Sequence, residues 1–159
     1  MYILGLGQIG GEDSSAVLLK DGEVIGAVAE ERISRIKHQG GFPEQAIKWC
    51  LEEAKITMGQ VDYVAIVDKP WLRLRKRLVN WYGKNLIFYP VYSLYHIFHD
   101  EIPTFLDFYK FRNKLKRLSK RKAKIFFVEH HLTRQSSAYF QSPFNESLIL
   151  SIDARGEYC

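Results

Sequence analysis

Four stretches of this chain combine residue types whose chemistry reaches beyond packing. Between Gly7 and Ser15 the sequence offers glycines at 7, 10 and 11 and the hydroxyls of Ser14 and Ser15, beside the carboxylate of Asp13. Glycine leaves backbone N–H groups open to close approach, so a loop of this kind can cradle phosphate oxygens. The same residues also suit an ordinary turn.

The second stretch, Glu30 to Pro43, reads EERISRIKHQGGFP. Arg32 and Arg35 can grip a phosphate as planar forks, Lys37 supplies a point charge, and His38 can carry a proton near neutral pH. A charge run by itself is usually a solvated face. Here Gly40 and Gly41 and an expected helix start follow it, and a helix N-terminus favours anions. In the third stretch, Glu129-His130-His131, a carboxylate and two imidazoles sit where a strand hands over to a helix, a donor set suited to a divalent metal. Adjacent histidines point in different directions, so at most one faces a given site. The fourth, Asp153-Ala154-Arg155-Gly156-Glu157, ends an apolar run with a carboxylate and a glycine, suited to holding a metal or the water around it. The bland alternatives are a satisfied strand end and a plain turn.

The elements that must position these residues follow from the apolar pattern. Tyr2 to Leu6 reads as a buried strand leaving into the glycine loop. Ala16–Leu19 and Glu23–Ala29 are apolar stretches joined by Asp21-Gly22, a strong signal for a tight hairpin, so the first thirty residues form a β-meander. Pro43 can occupy a first helical turn, and Ala46, Ile47, Cys50, Leu51 and Ala54 follow at three-to-four spacing, which predicts an amphipathic helix over 43–55. Strands are expected at 61–67 and 124–128, a mostly helical segment with a break at Pro90 over about 71–122, a helix over 131–141 closed by Pro143, and a last strand at 147–152.

With 159 residues, 47% of them hydrophobic, the chain can bury a real core as one domain. Its charge of +5 is unevenly spread, since residues 69–124 hold 15 Lys and Arg against 3 acids, interleaved with aromatics. That region reads as a surface layer on a more acidic scaffold. Cys50 and Cys159 form no spaced pair and no secretion signal opens the chain, so a reducing cytoplasm is expected. The longest uncharged run of the aromatic region, 85–99, is 15 residues with Pro90 inside, short of the roughly 20 needed to span a bilayer.

Taken together, the motifs resemble the NodU and CmcH-type O-carbamoyltransferase family. Its N-terminal domain carries a D-S-S-A loop, an E-E-R-x-x-R-x-K-H-x-x-G-F-P segment, an H-H-L-x-H-A-x-S-A element and a D-G-x-G-E loop. This chain has Asp13 to Ala16, Glu30 to Pro43, HHLTRQSSA from His130 to Ala138, and DARGE from Asp153 to Glu157, in that order. The resemblance implies an α/β fold, one half of an actin-like ATPase (ribonuclease H-like) domain, with a mixed sheet in the order β-β-β-α-β-(helical insert)-β-α-β. The whole of 1–159 would be this half, with a basic aromatic insert at about 70–122, and with the second half and a YrdC-like domain absent.

The implied reaction has two steps. A YrdC-like domain makes carbamoyl-adenylate from carbamoyl phosphate and ATP, and the actin-like domain, with a bound iron-type metal, moves the carbamoyl group to the hydroxyl of a small molecule. By the same resemblance, Asp13, Ser14 and Ser15 line the nucleotide phosphates, Lys37 stabilises the transferring group, His130 is a metal ligand, and Asp153 with Gly156 forms a second phosphate loop. A complementary carbamoyltransferase chain is the implied partner.

The chain departs from the family pattern in three places. Arg134 stands where the second metal histidine belongs, four residues after His130, and a guanidinium stays protonated and does not ligate metals. Glu12 replaces a histidine before the D-S-S-A loop, and Ala154 replaces the first glycine after Asp153. A second reading is therefore a catalytically degenerate relative kept as a binding or scaffold module. A third takes the basic insert as an anionic-membrane or nucleic-acid surface, although solvated charge runs are common and nucleic acid is not the expected partner.

Overall fold

The computed structural model describes residues 1–7, 13–67, 69, 71–72, 75, 89, 91, 94–95, 97–120 and 123–152. They fall into two compact units, one of Met1–Val67 with Leu106–Phe127, the other of Asp68–Phe105 with Val128–Cys159.

The first unit is built on a five-stranded sheet. Strands β1 (Tyr2–Gly7), β2 (Ser15–Lys20) and β3 (Glu23–Ala29) form the expected meander, followed by β4 (Tyr63–Val67) and β5 (Lys124–Val128). Their order across the sheet is β3-β2-β1-β4-β5. β1 runs antiparallel to β2 and parallel to β4, so the sheet is mixed. The turn between β2 and β3 has φ of 53° at Asp21 and 95° at Gly22, the two positive values that a two-residue type I′ hairpin demands.

Alternation along the strands puts one row of side chains on one face. Leu4 stands between Leu18 and Val64, and Leu6 between Ala16 and Ile66; all six are buried. Helix α2 (Glu44–Glu53) contributes Ala46, Ile47 and Cys50 to the same core cluster. It lies close enough to the sheet for Trp49 to sit 3.0 Å from where a Cβ on Gly26 would be. Gly5 and Gly7 are needed for a similar reason, because a Cβ there would come within 2.7 Å of Val17 Cγ1 and 2.5 Å of Ser15 Oγ.

Helix α3 (Ile102–Leu118) follows a single π-helical turn at Ile97–Glu101 and adds Phe108 and Leu115 to the core. Its Phe111 ring is 5.7 Å from Phe42, and Phe108 is 6.3 Å from Phe127. The mostly helical expectation for 71–122 thus holds over α3, while most of 73–96 lies outside the described residues. Among the described residues no helix is long and apolar enough to cross a membrane.

In the second unit, α4 (His130–Tyr139) occupies the place expected for a helix over 131–141. The strand expected at 147–152 is not formed. Leu148, Leu150 and Ile152 are 98%, 80% and 84% exposed instead, because a strand holds together only when a neighbour takes up its N–H and C=O groups and this segment joins no ladder among the described residues. The short helix α1 (Glu30–Ser34) was not expected from the sequence.

Candidate functional site

Two tethers hold the loop that follows α1. Glu30, 2% exposed, turns its carboxylate onto the first turn of α2, where Oε1 accepts the Gln45 N–H at 3.1 Å and Oε2 the Ala46 N–H at 2.7 Å. Pro43 stands at the N-cap of α2 without a capping side chain, so these N–H groups need an acceptor from elsewhere. A carboxylate there is doubly favoured, by charge-assisted hydrogen bonds and by the positive end of the helix. Ser14, fully buried, forms the second tether: its N–H and its hydroxyl both donate to the Gln39 carbonyl, at 3.0 and 3.1 Å, while its own carbonyl accepts the Glu30 N–H. Farther on, Lys114 of α3 reaches Glu44 at 2.7 Å and lies 4.3 Å from the Phe42 ring centroid, which holds the end of the loop.

Between these tethers Asp13, Glu31, Arg32, Arg35, Lys37 and His38 line an open cleft of about 610 Å³. His38 Nδ1 is 2.9 Å from Asp13 Oδ1, and the His38 backbone N–H donates to Glu31 Oε2 at 3.0 Å. Glu31 also faces Arg32, Nε to Oε1, at 3.7 Å. Asp13, Arg35 and His38 have φ of 63°, 63° and 56°. Left-handed backbone costs a non-glycine residue roughly 1–2 kcal/mol, and three such residues converge on this one cleft. Arg35 is the left-handed residue that ends α1, its N–H donating to the Glu31 carbonyl at 2.9 Å.

The structure therefore brings together five of the expected residues, Asp13, Arg32, Arg35, Lys37 and His38. Ser14 lies beneath them with its hydroxyl turned to the backbone, and Ser15 begins β2 against Gly7. Asp153 and Gly156, with Glu12 and Ala154, lie outside the described residues. Sequence reasoning missed Glu31 and the tethering role of Glu30; in the run Glu30-Glu31 nothing separates a buried carboxylate from a solvated one.

Electrostatically the cleft sets three side-chain cations against two carboxylates, with an imidazole oriented by one of them. Residues of these types can hold an anion next to a proton acceptor. Donor atoms of Asp13, Glu31 and His38 lie within 4.8 Å of one another, and Asp13 and Glu31 already accept from His38 as described.

His130 and Arg134 belong to the second unit. His130 heads α4, its ring edge-on to His131 at 5.7 Å, and His131 Nδ1 is 3.4 Å from Ser151 Oγ. One turn on, Arg134 Nε donates to His130 Nε2 at 2.9 Å. The imidazole nitrogen that would face a metal across the i, i+4 pair thus accepts from a guanidinium, and the partner position offers no lone pair. These two residues do not fit an iron-type metal held between them.

In comparisons with known proteins, residues 2–159 match the family described as Carbamoyltransferase N-terminus. An uncharacterised protein of Synechocystis, sll1178, is 37% identical over 154 residues, 92% of this chain and 24% of that protein. The nodulation protein NolNO of Sinorhizobium fredii is 33% identical over 149 residues, 92% of this chain and 20% of NolNO. An uncharacterised protein of Methanocaldococcus jannaschii, MJ1051, is 25% identical over 96% of this chain and 22% of its own length. The chain thus spans about a quarter or less of the length of each of these three relatives.

Proposed function

The chain belongs to the carbamoyltransferase N-terminus family, and on that premise we propose that its Asp13–His38 cleft holds the reacting end of carbamoyl-adenylate during transfer to a substrate hydroxyl. The observation that carries this reading is the arrangement of Arg32, Arg35 and Lys37 around the Asp13–His38 pair in one cleft.

Each group has a defined task. Arg32 and Arg35 grip the phosphate of the adenylate, Arg as a planar fork. Lys37 lies beside the carbamoyl oxygen and offsets the negative charge it gains when the hydroxyl oxygen attacks the carbamoyl carbon. With its Nδ1–H donated to Asp13, His38 uses Nε2 to take the proton of the attacking hydroxyl. A new C–O bond to the acceptor forms, the bond from carbamoyl carbon to phosphate oxygen breaks, and AMP leaves with the electron pair, its charge held by the cations. ATP and carbamoyl phosphate enter one step earlier, at a YrdC-like domain of the complementary part of the enzyme. The acceptor is a small hydroxylated molecule.

The test is reconstitution of carbamoyl transfer from carbamoyl-adenylate with this chain and its complementary part, using wild type and His38→Ala. Loss of transfer with retained AMP binding supports the reading, and full transfer by His38→Ala refutes it. A second reading, a module that binds the nucleotide without transferring from it, is favoured by the hold of Arg134 on His130. Saturable AMP binding with no transfer by the wild-type reconstituted enzyme would identify that case.

A further inference from the structure

We infer that the His130–Arg134 pair does not hold the metal ion that the family resemblance implies, because the Arg134 guanidinium occupies the ring nitrogen that would ligate it. This inference rests on family membership and on α4, and not on the anion reading of the cleft in the first unit.

The pair lies one helical turn apart on α4, the spacing at which two side chains share a face. Two histidines at that spacing can close on one metal ion, each giving a ring nitrogen lone pair. Here one partner has no lone pair to give. The Arg134 Nε–H instead occupies His130 Nε2 at 2.9 Å, which fixes the ring as the tautomer with its proton on Nδ1. A metal ion reaching Nε2 would have to break that bond and sit against a cation.

What remains is a positive charge that does not exchange, changes no oxidation state and is not removed by chelators. Arg134 is exposed on its helix, so its replacement by histidine leaves the packed core untouched.

Cobaltous ion, whose visible absorption changes on binding imidazole, is the probe. The wild-type chain, Arg134→His and His130→Ala are titrated with it alongside a circular-dichroism check of folding. The expected result is no saturable absorption change in wild type that depends on His130, and an added stoichiometric one in Arg134→His that disappears in the double variant with His130→Ala. Saturable cobalt binding by wild type that depends on His130 overturns the inference. So does a folded Arg134→His that gains no cobalt signal, because Arg134 would then not be what keeps metal from His130. Long-range ¹H–¹⁵N spectra supply a readout free of metal: His130 is expected to show the Nδ1-protonated tautomer in wild type and to lose that preference in Arg134→Ala.

Discussion

His38 Nδ1 lies 2.9 Å from Asp13 Oδ1, joining residues 25 positions apart, each with left-handed backbone. The bond ties the loop after β1 to the loop after α1 and occupies Nδ1 of the His38 ring, leaving Nε2 as the other ring nitrogen. Asp13→Asn keeps size and tolerates the same backbone, but removes the charge that orients and stabilises a protonated imidazole. Carbamoyl transfer by the reconstituted enzyme is expected to lose about 100-fold or more in kcat with KM for the adenylate little changed. Steady-state kinetics checks this; an unchanged kcat would show that Asp13 does not position His38 for catalysis.

Glu30 is the anchor of the same loop. Replacing it with alanine leaves the Gln45 and Ala46 N–H groups without their acceptor in a buried place and is expected to cost about 2–3 kcal/mol of stability. Glu30→Gln retains one acceptor oxygen and is expected to cost less. Urea denaturation of the three proteins gives the ordering, and equal midpoints for Glu30→Ala and wild type would contradict it.

How much of this arrangement the sequence revealed depends on the element. The β2–β3 hairpin was legible because Asp21-Gly22 supplies the positive φ angles of its turn, and β5 because an apolar run is bounded by charges. α1 was not, since its five residues are too few to display a helical period. The role of Glu30 leaves only an indirect sign: a helix whose N-cap is Pro43 has no capping side chain of its own. The segment 147–152 shows the opposite failure, with strand-like apolar residues in a stretch whose backbone has no partner strand among the described residues. Of the site, the cationic residues and His38 were readable from type and spacing, whereas Glu31, one charged residue in the run Glu30-Glu31-Arg32, enters only through the fold.

Cys50 reports on the core beneath the site. Fully buried between sheet and α2, its thiol lies 3.7 and 3.6 Å from the carbonyls of Ala16 and Gly26, and burial pushes it up to about 11. Because the folded state holds the proton more tightly than the unfolded chain, whose thiol titrates near 8.5, this contribution is fully present below about pH 8.5. It is lost as pH rises through 11. Wild type is therefore expected to lose more thermal stability than Cys50→Ala between these pH values. In a Cys159→Ser background the folded Cys50 thiol should also resist alkylation at pH 8 while the urea-unfolded chain reacts; rapid alkylation of folded Cys50 would contradict the burial.

The central claim, that the cleft of Asp13, Arg32, Arg35, Lys37 and His38 is where the nucleotide's phosphate is held, is tested most directly by calorimetric titration with AMP. Wild type, Arg35→Ala/Lys37→Ala and, as a control away from the cleft, Arg112→Ala are each titrated alone and with the complementary part of the enzyme. Saturable binding is expected, tighter in the mixture and weakened tenfold or more by the cleft variant, a loss of about 1.4 kcal/mol, with Arg112→Ala unchanged. AMP binding that is absent from wild type even in the mixture, or indifferent to the loss of Arg35 and Lys37, would contradict it.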